Sequence, residues 1–148
     1  MREILFRAKT VKNVHWIWGD LFHAGTEPSD GEFAISYWDD EDGWMNENVQ
    51  PGTIGQFTGL TDKNGKRIFE GDIVECVSWN EYFSKDGKPM EPFRRKMFVD
   101  YRKGGFKMVE PMPEPMKDNE WDIIYNGDIV IIGNIYDDPQ LIDMKRLG

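Results

Sequence analysis

Between positions 93 and 107, Arg94, Arg95, Lys96, Arg102, Lys103 and Lys107 interleave with Phe93, Phe98, Tyr101 and Phe106. Cations hold phosphates and aromatic faces stack on bases, so this mixture on a sheet is what single-strand nucleic-acid binders use. The same alternation also describes an amphipathic hairpin that turns its aromatics inward and its charges to water. A formal net charge of −9 repels a nucleic-acid backbone everywhere outside this stretch. Such acidity admits a third idea, a mimic of DNA whose carboxylates stand in for phosphates.

The remaining groups with chemical potential fit no standard site. Asp39-Asp40-Glu41-Asp42 suggests a calcium loop, but with Gly43 at the sixth position the first ligand is Trp38 and the twelfth Val49, which cannot coordinate. Asp62-Lys63-Asn64-Gly65 fails in the same way, with Leu60 first and Gly71 twelfth. His15 and His23 are the 2 histidines, far from standard zinc spacing. Their even separation places both on one face of an unbroken strand. Cys76 lies among Ile73, Val74, Val77 and Trp79, as a small apolar core residue would. No nucleophile elbow, phosphate loop or dinucleotide motif occurs, so no catalytic residue, cofactor or metal is expected.

The elements that must position these groups read as short strands. Ile4, Phe6 and Ala8 share a face at period two, against Glu3 and Arg7. Residues 14–22 are rich in β-formers, with a bulge or bend at Gly19-Asp20, and Glu32–Trp38 gives a third strand ending in the acidic turn at Asp39–Gly43. Asn64-Gly65 predicts a two-residue type I′ hairpin, and Gly71-Asp72 a second tight turn into Ile73–Trp79. Ser84–Pro89 reads as an exposed loop tip. Residues 94–101 and 106–109 pair across Lys103-Gly104-Gly105, and Glu110–Pro115 is an extended connector because proline cannot donate to a ladder. Asn119 can cap a short helix carrying Trp121, Ile124 and Tyr125 on one face and stopping at Gly127. The apolar run Ile129–Tyr136 predicts a strand buried on both faces, and Asp138-Pro139 a final helical turn through Ile142. Many short strands with turns between them make the chain mainly β, a small barrel or sandwich.

Composition sets the bounds. At 148 residues the chain holds one compact domain or two small lobes, and 6 Trp, 5 Tyr and 9 Phe supply a core. No apolar run approaches a membrane span, and the N-terminal residues lack a signal peptide's apolar stretch. A single cysteine forms no internal disulfide, so a reducing, cytoplasmic compartment is expected. Residues 1–60 carry 4 basic and 10 acidic side chains, residues 61–107 carry 11 and 8, and residues 108–148 carry 3 and 9. A positive middle between negative flanks permits head-to-tail contact between copies; solvated faces would look the same.

Two segments, Gly55–Val74 (GQFTGLTDKNGKRIFEGDIV) and Ile132–Asp137 (IGNIYD), together with Arg2–Ala8, Trp18–His23 and Val49–Ile54, closely resemble the YopX-like family of small proteins encoded by bacteriophages and integrated prophages. The resemblance covers nearly the whole chain and is weakest at Asp39–Asp42 and over residues 80–120. It implies a mainly β fold of two lobes, residues 1–58 and a small SH3-like barrel at residues 59–148 with one or two short helices. It also implies self-association in the bacterial host's cytoplasm, but no catalytic residue. Within its motif, Gly55, Gln56, Gly59, Asp62, Gly65, Gly71, Asp72, Gly133 and Asn134 are residue types suited to turns and close backbone approach, which marks them as structural. The expectation is a phage or prophage accessory protein that binds or assembles without catalysis, as a homo-oligomer or with a host or phage protein. The alternatives are a nucleic-acid-associated factor using the stretch 93–107, and an enzyme of unknown type. No membrane association is expected.

Overall fold

A computed structural model describes residues 2–27, 31–78, 87, 93–123 and 129–142. The protein is mainly β, with eleven strands among the described residues, in chain order: β1 (Phe6–Lys9), β2 (Trp16–His23), β3 (Phe33–Asp39), β4 (Gly43–Val49), β5 (Gly55–Thr61), β6 (Arg67–Phe69), β7 (Asp72–Ser78), β8 (Phe93–Arg102), β9 (Gly105–Glu110), β10 (Asn119–Asp122) and β11 (Ile129–Asn134). They form two antiparallel sheets, ordered β4-β3-β2-β1-β5-β6 and β10-β9-β8-β7-β11. The chain divides into two compact units, Met1–Gly59 and Leu60–Gly148. Among the described residues no helix is long and apolar enough to cross a membrane.

In the first unit, period-two alternation sorts the side chains. Ala8, Ile17, Ile35 and Val49 form a buried cluster with Phe6, Leu21, Phe33, Tyr37 and Ile54 packed against it. Ile4, expected to share that face, lies before β1 and is 59% exposed. β4 closes a hairpin on β3 with Trp38 opposite Trp44 and Asp39 opposite Gly43. Gly43 has φ 75°, and Asp39 Oδ1 accepts the N–H groups of Glu41 and Asp42 at 2.9 and 3.0 Å. The acidic run is thus a turn, and its leading carboxylate is engaged by the backbone.

The second unit buries both faces of its sheet. Val74, Met97, Val99, Met108 and Ile129 pack on one side with Ile68 and Ile123, while Ile73, Phe98 and Val109 pack on the other with Ile132, Ile135, Leu141 and Ile142. Consecutive apolar residues such as Met97-Phe98-Val99 follow directly. The strand order is open, and among the described residues no ladder joins β10 to β11.

Two local expectations are corrected. Residues 119–122 are not a helix but a strand on β9, with Asn119 opposite Glu110 and Asp122 opposite Lys107. Asn119 donates its side-chain amide to Glu110 Oε1 at 2.9 Å instead of capping, so cross-strand pairing overrides the local cap preference. Ile124, Tyr125 and Gly127 lie outside the described residues, as does most of the loop tip at residues 84–89. The Asn64-Gly65 turn is a three-residue loop in which Gly65 has φ 80° and Asn64 does not have positive φ. In it, Asp62 N donates to Lys66 O at 2.8 Å and Gly65 N to Asp62 O at 3.0 Å. The turn with two positive φ values lies instead at Lys103 (54°) and Gly104 (81°), between β8 and β9. Among the described residues, helical structure is limited to 3-10 turns at Pro51–Thr53 and Pro139–Leu141.

Candidate functional site

The glycines and acids of the long motif serve the fold. Asp62 is 5% exposed, and its carboxylate accepts three backbone N–H groups: Asn64 (2.9 Å) and Lys66 (2.9 Å) on Oδ1, and Ile131 (3.0 Å) on Oδ2. Burial pushes its pKa up, but these three donors and the nearby Lys66 outweigh burial and hold it below the usual range. Asp72, 2% exposed, accepts Phe69 N at 2.7 Å and closes the turn before β7. Gly71 has φ 89°, and a Cβ there would stand 2.9 Å from the Tyr136 ring. A Cβ on Gly133 would meet Asp138 Oδ2 at 2.5 Å, the same oxygen that accepts Asn134 N at 3.1 Å. Asn134 Oδ1 accepts Tyr136 N and Asp137 N at 3.0 and 2.9 Å. Gly55 is buried opposite Arg7, Gln56 stands opposite Phe6, and Gly59 has φ 88°.

The basic and aromatic residues of 93–107 are divided between the two faces of the second sheet. Phe98, packed in the cluster with Ile73 and Val109, marks the face shared at period two by Arg94, Lys96 and Arg102; Lys107 stands opposite Asp100 on the same face. Arg95 and Tyr101 share the opposite face with Met97 and Val99, and Phe106 packs against that cluster with its ring 5.3 Å from Tyr101. The cations are also engaged. Arg94 pairs with Glu75 at 2.9 Å, and Arg95 with Glu110 at 3.0 Å while lying 5.5 Å over the Trp121 ring. Arg102 pairs with Asp100 (2.9 Å), Glu120 (3.0 Å) and Asp118 (3.6 Å), Lys103 with Glu120 (2.9 Å), and Lys107 with Asp122. Lys96 is exposed and pairs with no carboxylate among the described residues.

A different surface, on the first unit, has the geometry of a binding site. β2 pairs with β3 only from Asp20↔Ser36 to His23↔Phe33, while residues 16–19 pair on their other edge with β1. Gly19 marks the change. A Cβ there would lie 2.1 Å from Ser36 O, so glycine alone permits the approach of β3. Beyond it the strands part and leave a cleft of about 520 Å³ lined by His15, Trp16, Trp18, Asp20, Tyr37, Trp38 and Trp44, with Ile17, Gly19 and Ser36. This size lies within the range of small-molecule pockets.

Four indoles dominate the walls. Trp38 and Trp44 meet edge to face, with centroids 5.5 Å apart and planes at 79°, so two ring faces form a corner. Trp18, Trp38 and Trp44 are 49%, 59% and 67% exposed. Trp16 is half-buried, with the Arg7 guanidinium 4.9 Å and the Lys9 ammonium 5.7 Å from its ring centroid. At the rim, Thr10 Oγ1 accepts His15 N (3.1 Å), and His15 Nε2 stands 3.8 Å from Glu47. Tyr37 donates its hydroxyl to Glu47 at 2.6 Å, and that bond, with burial and the negative charge around it, raises the phenol's pKa to about 12. His23 stands apart from His15, its ring edge-on to Phe33 at 5.7 Å. Among the described residues no group of three or more His, Cys, Asp or Glu could hold a metal ion.

The alternation Trp16–Trp18 at period two, and the pair Trp38 and Trp44 flanking one turn, carried a signal for this cleft. What hid it was β4, whose Asn46, Glu47 and Asn48 are weak strand formers.

A family model described as YopX protein matches residues 5–143. No curated protein matches the chain. Among solved structures, the crystal structure of protein EF1440 from Enterococcus faecalis is similar in fold, with a TM-score of 0.53 at 20% identity over 97% of this chain and 100% of that one.

Proposed function

The chain belongs to the YopX family, and from that premise we propose that it is a phage- or prophage-encoded accessory protein acting in the host cytoplasm as a non-catalytic binding module. It grips a protein partner with the tryptophan face of its first unit. The observation that carries this reading is the set of three indoles, 49%, 59% and 67% exposed, gathered at one cleft. Tryptophan is normally well covered in a folded protein, and exposed clusters of large apolar groups mark interaction sites. Tryptophan is also the residue type most enriched among side chains that dominate interface energy. Self-association belongs to the same reading, with a second copy as the partner.

The nucleic-acid alternative has less support. Stacking aromatics and cations must reach one strand together, yet Tyr101 and Phe106 stand on the opposite sheet face from Arg94, Lys96, Arg102 and Lys107. Among the described residues, five of the six cations, all but Lys96, are already held by a carboxylate.

The test compares the tagged full chain with its Trp18→Ala/Trp38→Ala/Trp44→Ala and Arg94→Ala/Arg95→Ala/Lys96→Ala variants. Each is used to capture partners from nuclease-treated host lysate and is also weighed by sedimentation. The reading expects a protein partner or a defined oligomer that survives nuclease and the basic-residue variant but is lost with the tryptophan variant. Retention of nucleic acid that disappears with the basic-residue variant would overturn it.

A further inference from the structure

The tryptophan cleft has a charge as well as a shape. Residues 1–59, which form the first unit, contain 4 basic and 10 acidic side chains. Asp20 lines the cleft itself, and the exposed Asp40, Glu41 and Asp42 sit in the turn that joins Trp38 to Trp44. The negative face of an indole attracts cations, and two indole faces meeting at a corner attract one from two sides. The protein already uses this chemistry three times, with Arg7 at 4.9 Å and Lys9 at 5.7 Å over Trp16, itself a wall of the cleft, and Arg95 over Trp121 at 5.5 Å. Trp18, Trp38 and Trp44 have no cation over them among the described residues.

We propose that the cleft between β2 and β3 is a receptor for an arginine side chain of the partner protein, its guanidinium stacked in the Trp38–Trp44 corner and faced by Trp18 and Asp20. Arginine fits better than lysine because its planar, weakly hydrated head stacks on aromatic faces. The surrounding carboxylates would draw a basic segment toward the cleft and disfavour an acidic one. This proposal rests on the reading that the tryptophan face is the binding surface, and it names what that surface recognises.

The probes are N-acetyl-arginine amide and N-acetyl-citrulline amide, which nearly share a shape but differ by one charge. Each is titrated into the isotopically labelled full chain while the indole N–H resonances are followed. Arginine is expected to move the signals of Trp18, Trp38 and Trp44 with a dissociation constant in the millimolar range. Citrulline should bind about tenfold more weakly. Trp44→Leu, at a position 67% exposed and so tolerant of replacement, should weaken arginine binding about fivefold or more. Asp20→Asn should weaken it by a smaller factor that vanishes in high salt. Equal binding of both probes, or binding of neither, would overturn the proposal. If a protein partner is still captured through the tryptophan face in that case, only the arginine assignment falls; if capture fails as well, the binding-surface reading falls with it.

Discussion

Asp62→Asn is the sharpest test of how the second unit is held together. The carboxylate is 5% exposed and uses both oxygens, Oδ1 for Asn64 N and Lys66 N and Oδ2 for Ile131 N, so it ties the β5–β6 loop to β11. In the amide variant Oδ1 can keep its two donors, while the new NH2 must face the Ile131 N–H, donor against donor. A hydrogen bond to a charged group contributes about 1.5–3 kcal/mol, and a donor left unpaired costs about 1–3 kcal/mol. The substitution should therefore destabilise the second unit by about 2–4 kcal/mol, a large part of a typical domain's stability. With a urea slope of about 1–3 kcal/mol/M, the unfolding midpoint should fall by roughly 1–2 M.

The pH dependence of that difference has a definite sign. The folded pKa of Asp62 lies below its ordinary value of 3.8, so the charge contributes fully above about pH 4 and its contribution is lost as pH falls through the folded value. The gap between wild type and Asp62→Asn should be flat near neutrality and shrink in acid. The assay is urea unfolding by far-UV circular dichroism at several pH values, with hydrogen exchange read at the Asn64, Lys66 and Ile131 amides. A midpoint shift below about 0.3 M, or unchanged protection at Ile131, would refute the role assigned to this carboxylate.

Other expectations follow from single positions. Gly71→Ala should cost about 2–3 kcal/mol, because the backbone has φ 89° and the added Cβ meets the Tyr136 ring at 2.9 Å. Urea unfolding should show Gly71→Ala/Tyr136→Ala restoring none of the backbone part, and full recovery would refute the φ argument. Gly19→Ala should cost about 3 kcal/mol, since its Cβ would lie 2.1 Å from Ser36 O and force β2 and β3 apart. Hydrogen exchange should show lost protection in both strands, and a fully protected variant would contradict the close approach. Alkaline titration followed by tyrosinate absorbance should show one of the 5 tyrosines ionising near pH 12, with Glu47→Gln bringing it back toward 10. An unmoved titration in that variant would remove Glu47 as the cause.

How far the sequence carried depended on whether a signal was local. Period-two alternation placed Phe6 and Ala8 in the first core, and the glycines at 65, 71 and 104 marked real turns. The apolar run at 129–134 supplies Ile129 and Ile131 to one side of the second sheet and Ile132 to the other, as a strand with two apolar faces should. One expected element differs and another carried no local signal, because non-local pairing decided both. β4 has Asn46, Glu47 and Asn48, with little strand preference of their own, and is held by seven paired positions on β3. Residues 119–122 carry a good helix opening, yet β9 offers them ion and amide partners, Lys107 for Asp122 and Glu110 for Asn119. The basic hairpin shows a further limit. Its residue types could be listed from the sequence, but the division between faces, and the carboxylates on β7, β10 and the connector that occupy the cations, required the fold.

The residues spent on turns in the second unit and the residues proposed to bind are different sets. Asp62, Gly71, Asp72, Gly133 and Asn134 are consumed by turns and close approaches, which leaves binding to other side chains. The cleft depends on two kinds of residue. Gly19 on β2 sets where the strands part. Trp38 and Trp44 flank the acidic turn between β3 and β4. On the proposed reading, the backbone at Gly19 sets the position of the cleft, while the indole corner and the carboxylates beside it set what it accepts. A relative that keeps the glycine but lacks the Trp38–Trp44 corner should therefore retain the cleft without its preference for a cation, and the arginine and citrulline titration would separate the two.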